Sequence, residues 1–106
     1  MVLPQIRSQS ELQSAISGHS STIIIFSAVW SQISEATKDN FERIGAQYPT
    51  LYQAWVSTDD NPELAEENGV NAIPATIGYK DGAEVTRFIG PQLLDSQIEA
   101  FISRVL

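Results

Sequence analysis

The sequence predicts an α/β fold in which helices cover both faces of a mixed central sheet, and three observations carry that prediction. Thr22 to Ser27 is an unbroken β-branched and aromatic run, too short for a helix and typical of a strand covered on both sides. Strand-like and helix-periodic segments alternate over the first two thirds of the chain, which implies parallel strands joined by right-handed crossovers. Lys80-Asp81-Gly82 then separates two further strand-like runs and adds an antiparallel hairpin.

Taken in order, Leu3 to Arg7 reads as a first strand. Ser8, with Glu11 three residues on, forms a capping box that opens a helix to about Ser17, closed by Gly18. The apolar strand follows. Ile33, Thr37, Phe41, Ile44 and Tyr48 then recur at three- and four-residue spacing until Pro49, predicting one long amphipathic helix whose N-terminus lies at Ser31 to Ser34. Leu51 to Ser57 is the next strand, and Asp59-Asp60-Asn61-Pro62 supplies caps and a first-turn proline for a short helix ending at Asn68-Gly69. Ala75 to Tyr79 and Glu84 to Ile89 form the hairpin. Leu94, Ile98, Phe101, Ile102 and Val105 share one face of a terminal helix that Asp95 can cap. The order is βαβαβαββα, within a single domain over 1–106.

Composition narrows the function. Thirteen acidic against six basic residues give a net charge of -7, which repels phosphate backbones and anionic membrane surfaces, and the basic residues are scattered. No nucleic-acid or membrane partner is expected. The N-terminus Met1-Val2-Leu3-Pro4 has no basic segment leading a long apolar one, so the protein is expected to be cytoplasmic, and monomeric or weakly dimeric. With no cysteine and one histidine, His19, no structural zinc site can be built, and Glu63, Glu66 and Glu67 lack calcium-loop spacing. No cofactor or metal is expected. His19 precedes the apolar strand, at the wrong end of the sheet to serve as a base for Ser31 or Ser34. Tyr52 and Trp55, three apart on a strand, point to opposite faces and read as packing residues.

Several segments share an order with one family: Ala28-Val29-Trp30 leaving the apolar strand, Trp30-Ser31-Gln32-Ile33-Ser34, Gly69-Val70-Asn71-Ala72-Ile73-Pro74, Lys80-Asp81-Gly82 and Phe88-Ile89-Gly90. Together they resemble the thioredoxin family over nearly the whole chain. The resemblance implies the thioredoxin fold, with a cis peptide bond before Pro74 facing the Trp30 motif. It also implies that the backbone of Ile73 pairs with an extended protein or peptide segment, a form of strand addition. The binding groove would then be Trp30, Gln32, Ile33, Ala72, Ile73, Pro74, Ile89 and Gly90. Read without the resemblance, Ile73 and Ile89 are equally well strand-end core residues.

The departures from the family pattern concern chemistry. Ser31 and Ser34 occupy the positions of the family's redox cysteines, and a chain without a thiolate cannot run thiol–disulfide exchange. Ser31 reads as a helix N-cap and Ser34 as part of the first turn. Gln32-Ile33 replaces the family's usual Gly-Pro, Glu35 stands where a basic residue is common, and Asp39 where a proline is. The buried acid that many members place on the central strand is here Ile25, and the lysine that accompanies it is Trp55. Two origins fit the paired serines: a natural chain that has given up redox work and kept a binding groove, or a protein-disulfide oxidoreductase in which both cysteines were replaced. A third reading is a structural interaction domain that uses another surface.

Overall fold

The computed structural model describes residues 2–106; Met1 lies outside them. The elements are α1 (Gln9–Ser17), β1 (Ser21–Ser27), α2 (Gln32–Gly45), β2 (Leu51–Ser57), α3 (Pro62–Glu67), β3 (Ala75–Lys80), β4 (Ala83–Ile89) and α4 (Asp95–Ser103). They form a four-stranded sheet in the order β2-β1-β3-β4. β1 runs parallel to β2 and antiparallel to β3, and β3 pairs antiparallel with β4.

Every residue of β1 is buried, as its apolar run requires. Successive side chains alternate between faces, so Ile24 and Phe26 pack with Leu12, Ile16, Leu64 and Val70 under α1 and α3. Ile23 and Ile25 pack with Phe41, Ile44, Phe101 and Ile102 under α2 and α4. Phe41 and Phe101 meet edge to face with centroids 5.5 Å apart. Tyr52 and Trp55 lie in the first and second cluster respectively, on the opposite faces that their spacing requires.

The expected first strand, Leu3 to Arg7, is reduced to one parallel bridge between Gln5 and Trp55. Two backbone bonds make it: Trp55 N–H donates to Pro4 C=O at 3.0 Å, and Ile6 N–H to Trp55 C=O at 2.8 Å. Extending the ladder toward the N-terminus would need an N–H from residue 4, and proline has none. In the other direction, Ser57 C=O already accepts from Asn61 N–H at 2.9 Å.

Helix ends follow local chemistry, with some departures from expectation. Ser8 Oγ accepts from Glu11 N–H at 3.1 Å, but Glu11 Oε1 reaches back to Arg7 N–H at 2.8 Å, one residue beyond a standard capping box. α2 stops at Gly45 rather than running to Tyr48. The chain tightens there, with Gln47 N–H bonding Ile44 C=O and Tyr48 N–H bonding Gly45 C=O, because Pro49 disfavours helical backbone at Tyr48. At α3, Gly69 (φ 71°) closes a Schellman motif in which its N–H bonds Glu66 C=O and Val70 N–H bonds Ala65 C=O. Asp95 is the first residue of α4 instead of its cap. Its carboxylate is held by Arg43 at 2.8 Å, while Gln97 Oε1 accepts from Leu93 and Leu94 N–H.

The hairpin turns on Asp81 (φ 51°) and Gly82 (φ 85°), both left-handed, as a two-residue loop between right-twisted strands demands. Tyr79, just before it, is buried, and that burial, reinforced by Glu84, pushes its phenol up to about 12. An unfolded chain ionises this group near pH 10. The burial therefore contributes its full stability below about pH 10, and that contribution is lost as pH rises through the folded value of about 12. Denaturant midpoints measured between those limits should fall with pH, and Tyr79→Phe should flatten the fall.

Candidate functional site

The site is built where β1 ends, α2 begins and the loop from Val70 to Pro74 approaches. Ser31 N–H bonds Ala28 C=O at 3.1 Å, turning the chain sharply out of the sheet. Ser31 has extended backbone and is the N-cap of α2, its Oγ accepting from Ser34 N–H at 3.3 Å.

Ser34 is fully buried. Its oxygen accepts from Ala28 N–H at 3.2 Å and from the Ser27 hydroxyl at 3.0 Å, and its single proton is placed between Ser31 C=O at 3.1 Å and Ala28 C=O at 3.2 Å. Ser27 Oγ also lies 3.3 Å from Glu35 Oε1. Glu35 pairs with Lys38 at 3.2 Å, and Lys38 Nζ sits 3.9 Å above the Trp55 ring. Trp55 is the β2 register partner of Ile25, in the same apolar cluster. A layer of hydroxyls held by backbone groups thus rests on a hydrophobic floor, with one ion pair beside it.

Nothing in this layer activates a nucleophile. The Glu35 carboxylate is aimed at Ser27 and Lys38 rather than at Ser31 or Ser34. His19 precedes β1 while Ser31 and Ser34 follow it; its ring stacks on Tyr52 at 3.9 Å and Nδ1 lies 2.9 Å from Ala15 C=O. Among the described residues, no His/Cys/Asp/Glu group could hold a metal ion, and no helix is long and apolar enough to cross a membrane.

Above the hydroxyl layer the surface is apolar. Trp30 is 67% exposed, Val29 72%, Ile33 47% and Ile89 46%. Trp30, Ala72 and Ile73 line one depression of 270 Å³ with Pro62 and Val70. The Ile73–Pro74 peptide bond is cis. Pro74 C=O accepts from Gly90 N–H at 2.8 Å, and Ile89 pairs with Ala75, which sets Ile89 and Gly90 beside Pro74. Gln32 and Ile33 stand on the first turn of α2, placed by the helix start and not by a hydrogen bond to the loop. Among the described residues, neither the Ile73 N–H nor its C=O has a hydrogen-bond partner. Ile73 is half-buried and Ile89 exposed, so neither is a fully packed core residue.

The Thioredoxin family profile matches residues 4–104. The chain belongs to the thioredoxin family. Thioredoxin-1 of Schizosaccharomyces pombe is 28% identical over 101 residues, covering 93% of this chain and 98% of that protein. The thioredoxin of Chlamydia caviae is 36% identical over 76 residues, 72% of this chain and 74% of its own. Among solved structures, a point-mutant thioredoxin from Halobacterium salinarum superposes with a TM-score of 0.88 at 23% identity, covering 99% of this chain and 92% of that one. The thioredoxin fold is thus shared throughout, while no cysteine is present here.

Sequence reading missed Ser27 and Lys38, which complete the thioredoxin-fold site from below. Ser27 is the last residue of the buried strand, a place where an unpaired hydroxyl is costly, and that was the available signal. Thr37 belongs to the buried helix face that its spacing predicts, and its Oγ1 also accepts from Gln92 N–H at 3.0 Å, tying α2 to the segment after Gly90. Removing the Ser34 hydroxyl by Ser34→Ala strands the Ala28 N–H and should cost about 1–3 kcal/mol in urea unfolding. Ser31→Ala loses a cap alone and should cost about 1 kcal/mol.

Proposed function

We propose that this thioredoxin-family chain is a redox-inactive binding protein that takes up an extended protein segment in the groove beside Pro74. The observation that carries the reading is the pair of serines. Ser31 is consumed as a helix cap and Ser34 is a fully buried, fully hydrogen-bonded hydroxyl, so neither offers a reacting atom. Ile73, which shares a depression with exposed Trp30 and precedes Pro74, itself beside Ile89 and Gly90, keeps a free backbone donor and acceptor, the equipment for strand addition. A cytoplasmic setting is part of this reading.

The apolar pairing of Ile25 with Trp55 favours natural loss over laboratory replacement of cysteines. Thiol-to-hydroxyl exchange at two positions would leave a buried acid in place, whereas here Ile25 and Trp55, partners in one apolar cluster, stand where the resemblance puts the acid and its lysine. Once a proton-transfer group is no longer needed, packed hydrophobes in place of a buried ion pair are often neutral or stabilising.

The purified chain should show no turnover in an insulin-reduction assay supplied with dithiothreitol. The restored dithiol, Ser31→Cys with Ser34→Cys, should reduce insulin at least about tenfold more slowly than an ordinary thioredoxin, since no buried acid serves the resolving thiol. Activity at the ordinary rate would instead support an authentic oxidoreductase with replaced cysteines. For the groove itself, Trp30→Ala and Ile73→Asp should each weaken calorimetric binding of extended peptides by about tenfold, while Glu99→Ala on the exposed face of α4 should leave it unchanged. Equal losses at both surfaces would favour the structural-domain reading.

A further inference from the structure

α2 begins at the groove and ends, 14 residues on, at a second depression that shares none of the groove's residues. This one holds 310 Å³ between the N-terminal segment, the end of α2 and the start of β2. Its walls are apolar, made by Pro4, Ala46, Pro49 and Leu51 with the rings of Tyr48 and Tyr52. One residue is out of character there. Gln53 lines the depression and is only 9% exposed, and its Oε1 is buried without a hydrogen-bond partner among the described residues. The amide lies against the last residue of α2, Gly45, where a Cβ would strike Nε2 and Cδ of Gln53.

This arrangement is unfavourable to the fold on its own. A buried amide without a partner is destabilising, and the glycine that makes room for it weakens the helix end. The main chain is unmatched as well. Trp55 N–H and C=O are taken by Pro4 and Ile6, and Gln53, two residues back, turns its own pair to the same edge, where Pro4 has no N–H to offer. A leucine or methionine would fill the volume of the Gln53 side chain without an orphaned polar atom. An apolar depression of ligand size, with one orphaned amide in its lining, is the pattern of a small-molecule site whose polar group orients the ligand.

We infer that this depression binds a small uncharged molecule, its flat apolar or aromatic body against Tyr48, Pro49 and Leu51 and its carboxamide paired with the Gln53 side chain. A carboxamide carries a donor and an acceptor in one plane, so it meets Oε1 with an N–H and Nε2 with its C=O in a closed pair of hydrogen bonds. The lining holds no lysine or arginine and one ionised group, Glu42, so a carboxylate in place of the carboxamide is repelled. The site stands independently of the groove.

Benzamide, acetophenone and benzoate serve as probes, titrated into the full chain by amide chemical-shift perturbation with the Gln53 side-chain NH2 as reporter. Benzamide should shift the Gln53 and Tyr48 resonances and bind at least about fivefold more tightly than acetophenone, which keeps the ring and carbonyl but has no N–H. Benzoate should bind most weakly. Ala46→Leu, which narrows the mouth from the exposed C-cap of α2, should weaken benzamide binding. Gln53→Leu should abolish the preference for benzamide over acetophenone and raise the urea midpoint, because an orphaned amide is exchanged for a packed apolar group. Equal binding of benzamide and acetophenone, shifts confined to Trp30 and Ile73, no shift up to the solubility limit of benzamide, or unchanged binding in Ala46→Leu would overturn the site. A lower urea midpoint or a failure to fold in Gln53→Leu would also overturn it, since the amide would then be a structural part.

Discussion

The structure depends on the complete burial of β1. A strand covered on both faces must place apolar side chains in two directions, and Ile23, Ile24, Ile25 and Phe26 do so alternately, which creates two cores and fixes which helices cover each. The same constraint determines the site. A chain leaving a fully covered strand has to satisfy its last polar groups internally, so Ser27 and the Ala28 amide must find partners within the first turn of α2. Ser34 provides them.

In the family pattern that position holds a sulfur whose use requires a proton to come and go. Here the oxygen is locked by two donors and a choice of two carbonyl acceptors. The hydroxyl is a structural part that closes the β1–α2 junction, and the surroundings agree with that role. Ile25 and Trp55 provide packing, and the remaining charge, Lys38, is neutralised by Glu35 and held over an aromatic face. Sulfur-to-oxygen replacement alone would remove the thiols. It would not explain why the floor beneath contains no titrating group.

The fold was legible wherever one residue's local preference agreed with its burial. The Asp81-Gly82 turn and the Ser8 cap depend on contacts a few residues away, and Thr22 to Ser27 carries its two-sided burial in its own unbroken apolar composition; each appears as read. The misreadings depended on partners far along the chain. Leu3 to Arg7 has strand-like composition, but its ladder is cut by a proline on one side and by the Ser57–Asn61 bond on the other. Asp95 has the chemistry of a cap and is instead claimed by Arg43, 52 positions away. For the site, motif order located Trp30, Ile73 and Pro74, while Ser27 and Lys38 needed the three-dimensional junction to reveal them.

If the groove proposed above binds a protein segment, it does so without a thiol's covalent hold on the partner, and binding must come from the surface alone. In that reading the free backbone edge at Ile73 would contribute hydrogen bonds of little sequence preference, because every extended segment offers the same donors and acceptors. Selectivity has to come from side chains. Exposed Val29, Trp30, Ile33 and Ile89 favour apolar residues in general, and apolar contact discriminates weakly between similar side chains.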